Sequence, residues 1–457
     1  MANNSIFSGR TSMLQHRLNS VTEQKQEIVQ NVKTQYISAT DEEQAYINQI
    51  VKNVGEKFAV ELANLGETEE VKKQINDFIR EQAELLPPSV SFETRQRIIK
   101  LAIDTTGLGP LEPLLKDPDI TEIVVQRYDK IMVEKHGRIQ DVDAGFNSEE
   151  HLVIVINKIV QAKNKTLNIS TPIVDARLDD GSRVNATIPP VTPDGATLCI
   201  RKFSKNKLGP KDYLRFGSVD EKMLKFLELA VVGKTNIIIS GGTGTGKTTF
   251  LNMLSNYIPK GELIVTIEDT CELQIQSPRV RRMETRTSVS TSDMMQVDIA
   301  MCVKNALRMR PDRIIVGEIR DGAIVDMLSA LSTGHDGGLA TVHANSPHNL
   351  LTTRMPILYG MNKDMKMTEH AQKIQFSESI ELVIQLRRFR DGARRVTEIT
   401  TIDGLDENEN VILNPIFVYN ETKKRFDATG YIPEKILEKA RMSGIDVDMS
   451  IFNKDNN

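Results

Sequence analysis

Residues 241–248 carry the most informative chemistry in this sequence. They read GGTGTGKT, which fits the pattern G-x-x-x-x-G-K-T of a phosphate-binding loop. In such a loop the backbone N–H groups surround phosphate oxygens, Lys247 pairs with the β- and γ-phosphates, and the Thr248 hydroxyl ligates Mg²⁺. The apolar run 237–239 before the loop predicts a buried parallel strand, and apolar residues at helical spacing after it predict a helix. The sequence therefore favours binding of a nucleoside triphosphate over a glycine-rich turn of purely structural origin. The predicted nucleotide-binding residues are Gly241, Gly242, Thr243, Gly244, Thr245, Gly246, Lys247, Thr248 and Thr249.

Polar side chains follow three further predicted strands. Glu268 and Asp269 come after the strand 263–267, Glu318 comes after the strand 313–316, and His343 ends the strand 339–343. Reactive groups of an open α/β sheet gather beyond the carboxyl ends of its strands, so we expect these side chains to meet at one nucleotide. Either glutamate could orient the attacking water, or could instead cap the following helix. His343 could sense the γ-phosphate or be a structural imidazole.

Binding of the metal and neutralisation of the phosphate charge require residues beyond the phosphate loop. Gly317 stands where a metal-binding Asp often ends the second strand, so we expect Mg²⁺ to be held mainly by Thr248, the phosphates and waters, with Asp269 acting through water. Three arginines outside the phosphate-loop domain could reach the phosphates by domain closure or from a neighbouring subunit, or could simply be surface residues. They are Arg177, Arg183 and Arg201.

Composition narrows the class of protein. The 457 residues carry a formal net charge of −4, which gives no global attraction to nucleic acid or anionic lipid. The three cysteines are far apart, which is typical of a reducing cytosol and argues against a disulfide framework. No apolar run reaches the roughly 18 residues of a membrane helix, so we expect any work at a membrane to depend on recruitment by partners.

The chain divides into four predicted parts: a polar, flexible segment 1–40, a three-helix bundle 41–106, a mixed α/β domain 107–212 and a phosphate-loop domain 213–457. The α/β domain is predicted to contain strands 122–125 and 130–134, a helix 149–162 and then a turn-rich stretch to 203. Residues 208–218 are predicted to be the linker into the last domain. That domain alternates strands and helices, which predicts a doubly wound parallel sheet that segments 381–384 and 395–402 extend.

Four segments taken together resemble the ATPases of the type II/type IV secretion superfamily. These are the loop GGTGTGKTT, the acidic box TIEDTCEL, the second box ALRMRPDRIIVGEIRD and the histidine box TGHDGGLATVHANSP. Within the superfamily the chain is most similar to CpaF-type ATPases of tight-adherence (Flp) pili, through GLGPLEPLLKDPDITEI, VDARLDDGSRVNATIPP and LRRFRDGARRVTEIT.

The resemblance implies a fold and a set of roles. The fold is α/β, with a RecA-like P-loop ATPase domain preceded by a small α/β domain and an N-terminal helical bundle. The protein would form a homo-hexamer that binds ATP and Mg²⁺ between the two α/β domains of each subunit. Glu268 would orient water, Glu318 would support Mg²⁺ and water, and His343 would lie near the γ-phosphate. Arginines of the first domain, Arg183, Arg201 and also Arg177, would reach the phosphates.

The resulting hypothesis is a cytoplasmic ATPase, peripheral to the inner face of the plasma membrane, that drives pilus assembly or protein secretion through an inner-membrane platform protein. The alternative is a type IV secretion ATPase of a conjugation apparatus, which shares the chemistry. A nucleic-acid motor is less favoured, because the basic clusters lack interleaved aromatic residues for base stacking, and no direct nucleic-acid partner is expected. A nucleotide-dependent scaffold without turnover is a third class, against which the two glutamates argue.

Overall fold

The computed structural model describes residues 39–58, 69–135, 137–163, 165–203, 208–286, 295–362 and 364–454. The predicted polar segment 1–40 therefore lies outside the described residues except for its last two. The chain forms two compact units, Met1–Ser204 and Lys205–Asn457. Among the described residues, no helix combines the length and the apolar character that crossing a bilayer requires.

The described part of the first unit begins with three helices that share one apolar core. They are α1 (Asp41–Lys57), α2 (Glu69–Glu84) and α3 (Phe92–Thr106). Thr40 starts α1 with a capping box, in which Glu43 N donates to its hydroxyl and Thr40 N donates to the Glu43 carboxylate. The buried side chains recur at helical spacing, as the sequence predicts, and include Ile50, Val54, Ile75, Ile79, Ile98 and Ala102.

The rest of the first unit is a six-stranded antiparallel sheet, in the order β3-β2-β1-β6-β5-β4, with two helices. The elements are α4 (Leu111–Lys116), β1 (Ile120–Arg127), β2 (Lys130–Lys135), β3 (Arg138–Val142), α5 (Glu149–Gln161), β4 (Ile173–Arg177), β5 (Arg183–Thr187) and β6 (Thr197–Arg201). The predicted β1, β2 and α5 are present. The prediction of a turn-rich stretch up to residue 203 is wrong, because this stretch forms three strands. Their sequences alternate buried apolar with exposed polar residues, which gives little apolar signal.

The second unit is built on a nine-stranded sheet in the order β15-β14-β13-β12-β7-β11-β10-β8-β9. Strands β12, β7, β11, β10, β8 and β9 are parallel to their neighbours, and β13 to β15 add an antiparallel extension. The strands are β7 (Ile237–Gly241), β8 (Ile264–Glu268), β9 (Val280–Glu284), β10 (Arg313–Ile319), β11 (Leu339–Val342), β12 (Leu382–Arg388), β13 (Arg394–Leu405), β14 (Val411–Asn420) and β15 (Arg425–Ala428). The predicted α/β fold class is confirmed, and the sequence reading missed only the exposed strand β9 within the parallel part.

Helices cover both faces of this sheet over two apolar cores. The helices are α6 (Pro210–Arg215), α7 (Glu221–Val232), α8 (Lys247–Ser255), α9 (Ile299–Ala306), α10 (Ile324–Ser332), α11 (Pro347–Asn349), α12 (Met355–Gly360), α13 (Glu369–Ser379) and α14 (Glu434–Met442), with a π-helical turn Leu350–Arg354 and 3₁₀ turns Leu307–Met309 and Met449–Phe452.

The predicted linker 208–218 is structured and belongs to the second unit. It contains α6, and its Tyr213 is buried in the core against Phe250, with ring centroids 5.3 Å apart. The division between the units, at Ser204 and Lys205, lies before the predicted boundary at residue 212.

Candidate nucleotide site

The phosphate loop connects the buried central strand β7 to helix α8, as the sequence predicts. All five residues of β7 are buried, and α8 begins at Lys247 directly after the loop. Gly246 is the N-cap of this helix and has a φ of +89°, a left-handed conformation that glycine adopts without strain. The helix N-terminus therefore directs unsatisfied N–H groups and a partial positive charge at the space that an anion would fill.

Lys247 lies at the centre of the site and is only 7% exposed. Its Nζ donates to the carbonyl oxygens of Gly241 and Gly242, each at 3.1 Å, and lies 3.3 Å from Nδ1 of His343. The loop carbonyls thus hold the ammonium at the mouth of the loop. His343 is the residue that directly follows β11, the strand paired with β7 in parallel, so the sheet register brings the two side chains together.

Glu318 joins this cluster from β10. Its Oε1 lies 2.8 Å from Nε2 of His343, and Arg320 donates to its Oε2 at 2.6 Å. Burial acts to raise the pKa of Glu318, but the hydrogen bond from Arg320 and the charges of Arg320, His343 and Lys247 outweigh it, so the pKa is lowered. Burial and the neighbouring Lys247 lower the pKa of His343. At neutral pH the cluster therefore combines an ionised carboxylate and a neutral imidazole with the basic side chains of Lys247 and Arg320.

Glu268 is buried at the end of β8, with 3% of its surface exposed. Its carboxylate accepts hydrogen bonds from the backbone N–H groups of Glu272, at 2.5 Å, and Leu273, at 2.9 Å. Burial raises the pKa of Glu268 to about 7, although these two hydrogen bonds act to lower it. Gly317 on the neighbouring strand makes room for this side chain, because a β-carbon there would lie 2.8 Å from Cγ of Glu268.

Asp269 lies beside the same cluster but is more exposed. Its Oδ2 is 3.9 Å from NH1 of Arg320, and its Oδ1 accepts a hydrogen bond from Thr285 at 3.2 Å. Thr248, Asp269 and Glu318 offer the hydroxyl and carboxylate oxygens that Mg²⁺ prefers. Over the part of the chain that the structure describes, no group of three or more His, Cys, Asp or Glu side chains could hold a metal ion.

The three predicted arginines form a row in the first unit. Arg177 pairs with Arg183 across β4 and β5, and Arg183 pairs with Arg201 across β5 and β6. Directly paired residues point to the same face of a sheet, so all three guanidinium groups project from one face. The structure thus brings these arginines together with one another in the first unit, while the phosphate loop, Glu268, Asp269, Glu318 and His343 meet in the second.

Two residues of the site were missed by sequence reasoning. Arg320 lies two residues after Glu318 in the box GEIRD, a spacing that places both on one side of an extended segment, and this signal was available. Arg394 donates a hydrogen bond from Nε to the carbonyl oxygen of Gly244, over 2.9 Å. It lies 150 residues further along the chain, so no local sequence pattern predicts this contact.

A central parallel strand, a phosphate loop and a helix, with carboxylates and a histidine at the adjoining strand ends, define a P-loop nucleotide-binding protein of the α/β class. Residues 104–414 match the family model described as type II/IV secretion system protein. The chain belongs to this family.

Relatives are found in archaea and bacteria. The chain is 38% identical over 316 residues to the protein MJ0781 of Methanocaldococcus jannaschii, which covers 65% of this chain and 44% of that protein. It is 32% identical over 317 residues to the conjugal transfer protein TrbB of Rhizobium radiobacter, which covers 68% of this chain and 92% of TrbB. Among solved structures, the ATPase DotB of Legionella pneumophila is 20% identical with a TM-score of 0.44, covering 75% of this chain and 86% of DotB.

Proposed function

We propose that this protein is an ATP-hydrolysing motor of a secretion or pilus-assembly machine. The observation that carries the proposal is the meeting of Lys247, His343 and Glu318 at the mouth of the phosphate loop, with Lys247 Nζ 3.3 Å from His343 and His343 2.8 Å from Glu318. A loop that only bound nucleotide would not need a half-buried carboxylate and a neutral imidazole at this position. Family membership supports the same class of machine.

Each residue has a role in the proposed reaction. Lys247 and the loop N–H groups bind the triphosphate, and Glu268 accepts a hydrogen bond from the attacking water once its carboxylate is ionised. Glu318 holds His343 beside the phosphate. Thr248, with Asp269 and Glu318, would hold Mg²⁺, which neutralises charge on the β- and γ-phosphates when bound.

The arginine row of the first unit completes the proposal. Arg177, Arg183 and Arg201 project from one face of their sheet, so together they match an anion that carries several charges. We infer that the row supplies positive charge to the transferring phosphoryl group. In other phosphoryl-transfer enzymes such arginines raise the rate by about 10³- to 10⁵-fold.

The machine that we favour is a tight-adherence pilus, with a homo-hexamer acting on an inner-membrane platform protein from the cytoplasmic side. The alternative is a conjugation or type IV secretion apparatus. The names of TrbB from Rhizobium radiobacter and of the type IV secretion protein VirB11 from Bartonella quintana favour that second candidate. Genes for small pilins and platform proteins beside this one would support the pilus, whereas genes for a coupling protein and relaxase would support conjugation.

The activity is tested by steady-state phosphate release from ATP with Mg²⁺. Lys247→Ala should abolish nucleotide binding or turnover, and Glu318→Gln should keep ATP binding while turnover falls by about 10²-fold or more. The exposed carboxylate Glu407 provides the matched control, since Glu407→Gln should leave both quantities unchanged. Equal turnover of the parent and Glu318→Gln would remove Glu318 from the mechanism, and a parent that neither binds nor hydrolyses ATP would refute the proposal. Sedimentation of the parent with a non-hydrolysable ATP analogue tests the hexamer.

A further inference from the structure

A second group of arginines lies against the phosphate loop within the same unit. Strands β12 and β13 form a hairpin whose turn reads FRDGA, and four arginines flank this turn in two directly opposite pairs. Arg387 pairs with Arg395, and Arg388 pairs with Arg394. Leu386 on β12 is in register with Gly241 on β7, so the hairpin continues past the strand end from which the phosphate loop starts.

The two pairs point to opposite faces of the hairpin, because successive side chains of a strand alternate. The first pair contacts acidic and aromatic side chains. Arg387 contacts the carboxylate of Glu421 and stacks over Phe389 at 4.3 Å, and Arg395 lies 5.1 Å from the same ring.

The second pair is directed at the phosphate loop. Arg394 donates its Nε to the carbonyl of Gly244 at 2.9 Å, and its Cδ lies 3.4 Å from the position of a β-carbon on Gly246. NH1 of Arg388 lies 3.5 Å from the position of a β-carbon on Gly244. Both side chains are exposed, so neither is held there by burial in the core.

The pair flanks the loop on the opposite side from Lys247. The Lys247 ammonium faces His343, which follows β11, whereas Arg388 and Arg394 approach from β12, and β7 lies between those two strands. An anion cradled by the loop would therefore have cationic groups on two sides. Guanidinium groups suit this position, since each presents several donors in a fixed fork that matches phosphate oxygens.

We propose that Arg388 and Arg394 form an arginine clamp that binds the phosphates of the bound nucleotide from within the same subunit, with Arg394 also positioning the loop through Gly244. This inference rests on the proposed nucleotide binding. It is separate from the arginine row of the first unit.

The test is titration calorimetry of the full chain with the ATP analogue AMP-PNP and Mg²⁺. Replacing both residues, in Arg388→Gln/Arg394→Gln, should weaken binding by at least about tenfold, as expected for the loss of charge-assisted hydrogen bonds. Arg388→Lys should weaken binding less than Arg388→Gln, because the charge remains although the donor fork is lost, whereas a purely structural role of this exposed side chain would not rank the two variants in this way. The matched control is Arg387→Gln, on the other face of the same hairpin, which should bind within about twofold of the parent.

The outcomes separate this inference from the proposed function. A parent that binds AMP-PNP, with a double variant that binds it equally well, overturns the clamp and leaves the ATPase proposal standing. A parent that does not bind overturns both. If the double variant fails to fold by circular dichroism, Arg388→Gln alone decides, because this exposed side chain packs into no core. A variant that loses self-association but keeps parental nucleotide affinity would assign the arginines to a neighbouring copy and overturn the clamp.

Discussion

The close approach of Gly317 to Glu268 predicts how a substitution at Gly317 changes the free energy of unfolding. A β-carbon at Gly317 would lie 2.8 Å from Cγ of Glu268 and 3.5 Å from its Cβ and Cδ. A separation of 2.8 Å between two carbon atoms is far inside their contact distance, so Gly317→Ala must displace the Glu268 side chain or the strand that carries it. The backbone N–H groups of Glu272 and Leu273 hold the carboxylate, which makes that displacement costly.

The crowding between residues 317 and 268 determines the expected loss of stability. Overpacking a close-packed interior costs about 1–3 kcal/mol, so we expect Gly317→Ala to lower the free energy of unfolding by that amount. Truncation of the glutamate in Glu268→Ala removes Cγ and Cδ and leaves only Cβ at 3.5 Å, an ordinary contact. In that background Gly317→Ala should cost close to nothing, which predicts a coupling energy of about 1–3 kcal/mol between the two positions.

The assay is a double-mutant cycle measured by equilibrium denaturation of the nucleotide-free full chain. Gly360→Ala is the matched control, because a β-carbon at Gly360 meets nothing within 4 Å and should not destabilise the protein. If the losses of unfolding free energy in the two single variants add up to the loss in the double variant within about 0.5 kcal/mol, the crowding of Glu268 does not explain why residue 317 is a glycine. ATP hydrolysis by Gly317→Ala should fall by about 10²-fold, since a misplacement of roughly 1 Å in a group that aligns water is enough to produce such a loss.

Four further predictions concern charge. The pKa of about 7 for Glu268 predicts that kcat/KM rises with pH through about 7 and levels off above it, as the carboxylate ionises; a pH–rate profile that is flat there would contradict this. The pKa of the Glu268 side chain in the folded protein lies above its ordinary value of 4.5, so protonated Glu268 contributes fully to the free energy of unfolding below pH 4.5. This contribution is lost as the pH rises through about 7, and denaturation at several pH values measures the loss. Glu262→Ala leaves the fully buried Arg313 without its carboxylate and should cost about 3–5 kcal/mol of unfolding free energy, and a loss under 1 kcal/mol would show that solvent reaches the guanidinium. Arg183→Gln should lower kcat by about 10³-fold while the Kd for AMP-PNP stays unchanged, and an unchanged kcat would return Arg183 to a surface role.

Local pattern was sufficient for the centre of the second unit. The apolar run before the phosphate loop, the glycines and the following helical spacing occur within twenty residues, so the strand, loop and helix could be predicted together. The carboxylates after β8 and β10 could be predicted to converge, because parallel strands end at one edge of a sheet. The cluster of Lys247, His343 and Glu318 follows from that rule.

Features that depend on long-range pairing could not be predicted in the same way. Strands β4 to β6 bury one face only, and their small residues, such as Ala176 and Ala186, give a weak alternating signal. The row of Arg177, Arg183 and Arg201 exists only because three strands pair in one particular register.

Helix α6 couples the start of the second unit to the helix that follows the phosphate loop. Its Tyr213 ring packs edge-on against Phe250 in α8, and α8 begins at Lys247. A close-packed interior transmits strain, so a shift of α8 would have to be accommodated at the contact between these two rings.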